Sequence, residues 1–147
     1  AEGDDMGAPA GEGCERARQL ALSTLPGGRS GSYINAHGTS TPAGDQPEME
    51  AVRRACAGKT QPPVSSTKSM TGHSQGAAGA QEAIYCLLML KDDFIAPSIN
   101  VETLDPAFEA AEIATEVVEA ANLDSVMTNS FGFGGTNGSM ILSKYLG

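Results

Sequence analysis

The sequence predicts an α/β fold, and three observations carry that expectation. Helical and extended segments alternate along the 147 residues, and 18 glycines and 8 prolines punctuate them more densely than usual. One long segment, residues 76–91, is helical in pattern yet apolar on nearly every side, as a helix enclosed by other elements would be. The length suits one ordinary domain, taken as residues 1–147.

In order along the chain, residues 1–13 combine Gly, Pro and acids and read as a loop. Residues 12–25 form an amphipathic helix stopped by Pro26-Gly27-Gly28. Residues 32–36 (SYINA) are a short strand that runs into a loop from His37 to Asp45. A second helix is expected over 47–57, with Pro47 tolerated in its first turn and Gly58 closing it. After the turn at Pro62 and Pro63, residues 64–68 look extended. The helix over 76–91 (GAAGAQEAIYCLLMLK) starts on Gly and Ala, so other backbones are expected to pack closely against it, burying it all round. Residues 94–120 mix proline, acids and short apolar stretches. Two strands, 125–130 and 138–144, then flank the glycine-rich FGFGGTNG.

Composition narrows the function. A net charge of −9, with nine Lys plus Arg, argues against a nucleic-acid partner, because phosphate binding needs a basic patch. Cys14, Cys56 and Cys86 form neither a CxxC pair nor a disulfide framework, which suits a reducing compartment. No apolar run reaches 18 residues, and Glu2, Asp4 and Asp5 stand where a signal peptide would be basic. A soluble, cytoplasmic protein without a membrane partner is expected.

The chain has two histidines, both in loops rich in glycine and hydroxyl groups: His37 in HGTSTP and His73 in MTGHS. The plain alternative for each is a hydrogen-bonded structural histidine. His73 stands just ahead of the long apolar helix, where the positive end of the helix dipole disfavours imidazolium. A neutral imidazole donates a hydrogen bond to an oxyanion forming on a carbonyl, and two such groups can share one oxygen. Lys68 precedes this loop. Glu82 falls inside the apolar helix, where an unpaired charge is costly, so the two are candidates to pair; a helix-flank or surface partner for Glu82 is the alternative.

Three other chemistries fit the sequence less well. Gly72-His73-Ser74-Gln75-Gly76 fits the nucleophile-elbow pattern G-x-S-x-G, but no histidine follows it to complete the usual triad order. Gly132 to Asn137 brushes against the dinucleotide fingerprint, yet only ten residues remain for the helix and ribose-binding acid that should follow. A tight turn exposing backbone N–H groups and swinging an aromatic side chain is the better account. Two histidines without a third ligand at a suitable spacing make no zinc site, and neither metal nor cofactor is expected.

Taken together, HGTSTPAGD at 37–45, KSMTGHSQGAAG at 68–79 and NSFGFGGTNG at 129–138 resemble the motif set of the β-ketoacyl-acyl-carrier-protein synthases. GDDMGAPAGEG near the start and FIAPSIN at 94–100 extend the resemblance over the whole chain, closest to the type I bacterial condensing enzymes. It implies the C-terminal half of a thiolase-like fold, in which two similar α/β halves form five αβαβα layers, commonly as a homodimer. The helix over 76–91 suits the central layer. The N-terminal half, and the opening strand of the second half, lie outside this mapping.

The resemblance also implies a chemistry: an acyl group carried on a cysteine of the N-terminal half condenses with malonyl carrier protein, with loss of carbon dioxide. His37 and His73 are then placed at the malonyl thioester carbonyl, and Lys68 and Glu82 form a supporting ion pair. Thr39 and Thr41 hydrogen-bond the pantetheine arm. Phe131, Gly132, Phe133, Gly134 and Gly135 form the gatekeeper loop, with Phe133 the gating aromatic. Implied partners are acyl carrier protein, the N-terminal half and a second copy. Because the chain is acidic, a basic docking surface for an acidic carrier would come from clustered basic residues or another segment. None of the three cysteines lies on a glycine-flanked elbow, so the nucleophile is not expected here and the chain alone is expected to be inactive. The alternative is a catalytically inactive partner or structural subunit of a condensing-enzyme complex.

Overall fold

The computed structural model describes residues 11–145; most of the loop expected over 1–13 lies outside them. Its centre is a four-stranded sheet built from β1 (Tyr33–Asn35), β2 (Val64–Ser65), β5 (Ser125–Phe131) and β6 (Asn137–Ser143), in the order β2-β1-β5-β6. β1 lies parallel to both β2 and β5, with Ile34 opposite Val64 and Met127. β5 and β6 form an antiparallel hairpin from Ser125–Ser143 to Phe131–Asn137. A small antiparallel ladder pairs β3 (Phe94–Ile95) with β4 (Val118–Glu119) inside the region whose sequence pattern is mixed.

Successive strand residues face opposite sides, and each side buries its own cluster. Ile34 and Met127 pack with Leu22, Met49, Val52 and Val64 under α1 (Glu12–Leu22) and α2 (Asp45–Ala55). Tyr33 and Val126 pack with Cys86, Met89, Leu90 and Leu123 under α4 (Ala78–Asp92). The result is helix, sheet, helix: three layers with β1 buried at every residue, as expected of a parallel strand covered on both faces.

Local chemistry explains where the elements depart from the expected bounds. α1 stops at Leu22 rather than at 25 because the Ser23 and Thr24 hydroxyls donate to the carbonyls of Leu20 and Ala21, both at 2.7 Å, and tighten the chain into a turn. α2 begins at Asp45, two residues early. Gly44 and Asp45 N–H groups bond back to the Thr41 carbonyl, and Pro47 stays in the first turn, where no helical hydrogen bond is forfeited. The expected extended segment 64–68 is strand only at Val64–Ser65. Lys68 opens a single helical turn, α3 (Lys68–Thr71), which Gly72 ends at φ +71°.

α4 differs more. A 3₁₀ turn over Gln75–Ala77 precedes it, and it ends at Asp93 in the left-handed region, whose carboxylate accepts the N–H groups of Asn122 and Leu123. Ala78, Glu82, Cys86, Met89 and Leu90 face the sheet. All-round burial is not reached in this chain: Ile84, Leu87 and Leu88 remain 56%, 53% and 45% exposed on the far face. No helix among the described residues is long and apolar enough to cross a membrane.

Candidate functional site

Parallel strands bring their C-terminal ends to one edge of a sheet, and here that edge collects the three sequence motifs. His37 follows β1, Lys68 comes three residues after β2, and Phe131 ends β5. The loop from α3 to α4 adds His73.

The two imidazole rings meet edge to face, with centroids 5.2 Å apart and planes at 90°. Phe131 flanks His37 at 5.8 Å. The Gln75 N–H donates to His73 Nδ1 at 3.3 Å, which makes Nδ1 the acceptor and leaves Nε2 as the nitrogen able to donate. Burial lowers the His37 pKa to about 4, assisted by the positive charge of Lys68 and by His73. His37 is therefore neutral near pH 7. Lys68 and Glu82 pair as the sequence suggested, with side chains only 4% and 3% exposed. Burial nonetheless raises the Glu82 carboxyl above its ordinary value, against the opposing pull of Lys68, and its second oxygen has no hydrogen-bond partner among the described residues.

The backbone of the His37 loop is held as tightly as its ring. His37 and Gly38 N–H groups donate to the two oxygens of the Glu48 carboxylate at 3.0 and 2.9 Å. The Ser66 hydroxyl donates to the Gly38 carbonyl at 2.8 Å. Gly38 has φ +25°, and a Cβ there would lie 2.8 Å from the Ser66 Cβ, so the position requires glycine. Glu48 in turn accepts from Arg18 Nη2 at 2.7 Å, an ion pair buried between α1 and α2. Arg18 and Glu48 escape a motif reading because they belong to no motif. Their signal is positional: each occupies a four-residue stripe with apolar neighbours, Cys14-Arg18-Leu22 and Glu48-Val52-Cys56.

Next to the histidines lies a cavity of about 790 Å³ whose wall includes Thr39, Lys68, His73, Ser98 and Asn100. The Thr39 and Thr41 hydroxyls are 3.3 Å apart. The turn joining β5 to β6 passes Gly134 and Gly135 at φ +74° and +80°, closed by the Gly132 N–H donating to the Thr136 carbonyl at 2.7 Å. Phe133 stands at its tip, 82% exposed, and no ring contact joins it to either histidine among the described residues. Thus His37, His73, Lys68, Glu82 and Phe131 are brought together, with Thr39 at the cavity wall and Phe133 apart.

The serine-hydrolase and dinucleotide readings find no support in this arrangement. Ser74 donates to Gln81 at 2.5 Å rather than to a histidine, and a helical turn, not a strand, precedes it. The glycine-rich turn joins two strands instead of leading into a helix. All three cysteines are buried and none is in a disulfide. Burial pushes the Cys86 thiol up to about 12 and raises Cys56 as well, which disfavours the thiolate form a nucleophile needs.

Comparison with known proteins agrees over the same residues. The family "Beta-ketoacyl synthase, C-terminal domain" matches residues 1–102. The chain is 58% identical over 146 residues to 3-oxoacyl-[acyl-carrier-protein] synthase 1 of Haemophilus influenzae, covering 99% of this chain and 35% of that protein. A β-ketoacyl synthase structure from Burkholderia phymatum superposes with a TM-score of 0.85 at 38% identity, over 97% of this chain and 35% of that one. A chain of AntDE:AntF, a type II PKS acyl-carrier protein in complex with its ketosynthase, superposes with a TM-score of 0.83 at 26% identity, over 97% of this chain and 36% of that one. The chain thus spans about a third of the length of the relatives it matches. With the motif edge, the mixed sheet between helices and these matches in agreement, the chain belongs to the β-ketoacyl synthase family and has the thiolase-like fold of that family's C-terminal portion.

Proposed function

We propose that this chain supplies the decarboxylation side of a 3-oxoacyl-acyl-carrier-protein synthase of fatty-acid elongation. The observation that carries the reading is the pair of histidines meeting edge to face at the C-terminal edge of the sheet, His37 held neutral, beside a cavity wall that includes Thr39. In a malonyl thioester, the bond to the carboxylate breaks, carbon dioxide leaves, and the electron pair passes into the thioester as an enolate. Its oxygen becomes an acceptor for N–H donors on His37 and His73, whose interaction strengthens as charge develops. The enolate carbon then attacks the acyl-cysteine carbonyl, a carbon–carbon bond forms, and the cysteine leaves as thiolate.

In this scheme Lys68 and Glu82 fix the floor beneath His37, and Thr39 and Thr41 bind the pantetheine arm. The glycines at 132, 134 and 135 let Phe133 swing, since its exposed ring meets no packing that would hold it. The nucleophilic cysteine comes from an N-terminal half, which the burial of Cys14, Cys56 and Cys86 supports. That half, and in the assembled enzyme a second copy, cover the apolar face of α4. Acyl and malonyl groups arrive on acyl carrier protein, a reading supported by the AntDE:AntF complex, in which a ketosynthase of the same fold is bound to its own acyl-carrier protein.

The test is decarboxylation of malonyl carrier protein and acyl condensation by this chain, alone and co-expressed with the N-terminal half of a family member, with His37→Ala and His73→Ala beside it. Activity confined to the pair and lost in both variants is the expected result. A folded pair that stays inactive, or histidine variants as active as the parent, would favour the inactive-partner reading instead.

A further inference from the structure

Arg18 is the charged member of the buried stripe of α1, only 1% exposed, in a place where Cys14 and Leu22 are its neighbours on the same face. A guanidinium in such a site is costly unless its donors are used, and an apolar residue would serve packing as well or better. Its contacts divide between two walls of the site. Nη2 donates to the Glu48 carboxylate at 2.7 Å and Nη1 to the Glu48 carbonyl at 3.2 Å, while Nε has no partner among the described residues. The plane of the same group lies over the Phe131 ring, 5.1 Å from its centroid.

Each wall leads to a working part. Through Glu48, Arg18 reaches the N–H groups of His37 and Gly38; through Phe131, it reaches the strand end that opens into the glycine turn carrying Phe133. Phe131 also flanks His37 at 5.8 Å, so the contacts close a ring from Arg18 to Glu48, His37, Phe131 and back. Arg18 touches no reacting atom in this geometry. We infer that Arg18 is a positioning residue for decarboxylation, holding the His37 loop and the base of the glycine turn in one fixed relation across the site. This role rests on the function proposed above. Arginine suits the task better than lysine, because a flat fork spans two acceptors and covers an aromatic face at the same time.

The experiment uses the complete synthase, this chain assembled with the N-terminal half of a family member, and follows malonyl-carrier-protein decarboxylation. Arg18→Gln should lower kcat on the order of tenfold to a hundredfold, the scale of a small misplacement of catalytic groups, with KM unchanged. Arg18→Lys, which keeps the charge but not the fork, should recover part of the loss. Arg29→Gln breaks an exposed ion pair with Asp124, beside the start of β5 and at the opposite end of that strand from Phe131, and should leave kcat at the parent value. If Arg18→Gln does not assemble, Arg18→Lys decides: a reduced kcat at unchanged KM supports the assignment. Parent kcat in Arg18→Lys or Arg18→Gln, with His37→Ala and His73→Ala inactive, overturns the role of Arg18 alone. Undiminished decarboxylation in the histidine variants overturns the functional reading, and the assignment of Arg18 with it.

Discussion

Gly38 and Gly134 both have positive φ, but the space around them differs. At Gly38 a Cβ would meet the Ser66 Cβ at 2.8 Å, whereas at Gly134 nothing lies within 4 Å. Gly38→Ala therefore adds an overpacking cost of about 1–3 kcal/mol to the left-handed penalty of roughly 1–2 kcal/mol that Gly134→Ala carries alone. Urea unfolding of the two variants measures the difference, and equal costs would contradict it. Lys68 and Glu82 set a second residue-scale test. Lys68→Met alone strands the Glu82 carboxylate inside the protein and should cost about 3–5 kcal/mol, whereas adding Glu82→Leu removes the stranded charge and restores much of the stability. Decarboxylation by the assembled enzyme should stay low in both, which separates the pair's support of the site from its contribution to folding.

At the scale of elements, α2 is tied down at both ends. Glu48 in its first turn clamps the His37 loop, and Arg53 near its end holds Glu112 by two guanidinium hydrogen bonds, at 2.8 and 2.6 Å. Glu112 also accepts from Gln61 and from the Glu109 N–H, and its backbone pairs with Val64. The loop around residue 112 is in this way stitched to α2 and to β2. Hydrogen bonding to Arg53 is the main cause that holds the Glu112 carboxyl at about 2, against an ordinary 4.5. The sign follows from proton binding: between these values the unfolded chain takes up a proton that the folded chain refuses, so stability from Glu112 is complete above pH 4.5 and is lost as the pH falls toward 2. Glu112→Gln should flatten that part of the stability–pH curve. An unchanged slope between those limits in urea titrations would rule the clamp out.

For the whole molecule, the decisive feature is the outer face of α4. Ile84, Leu87 and Leu88 form a contiguous, half-exposed apolar strip on a helix whose inner face already packs against the sheet. Such a helix is read from its sequence as enclosed, and the enclosure is only half supplied by this chain. The isolated chain should bind an apolar dye and associate at micromolar concentration. Co-assembly with an N-terminal half should quench the dye and raise hydrogen-exchange protection along 78–92. Replacing Leu87 and Leu88 with lysine should block that assembly while leaving the far-ultraviolet spectrum intact; assembly that survives both substitutions would place the covering surface elsewhere.

The sequence by itself determined the family, the alternation of helices and strands, and the histidines, Lys68, Glu82 and glycine turn as the chemically distinctive residues. These are local matters: a turn needs glycine at a positive φ, a helix needs its stop, and a motif is a short run of contiguous residues. The pairing of Lys68 with Glu82 was legible because a charge inside an apolar helix demands a partner. Only the tertiary structure decided that His37 and His73 meet edge to face, that the 790 Å³ cavity opens beside them, and that Phe133 stands clear of both rings. It also decided the Arg18–Glu48 clamp, formed between residues thirty positions apart. The physical reason is the parallel sheet. Its strands return to one edge only after long crossovers, so which side chains converge there depends on register and packing between segments distant in the chain, and no local pattern records that.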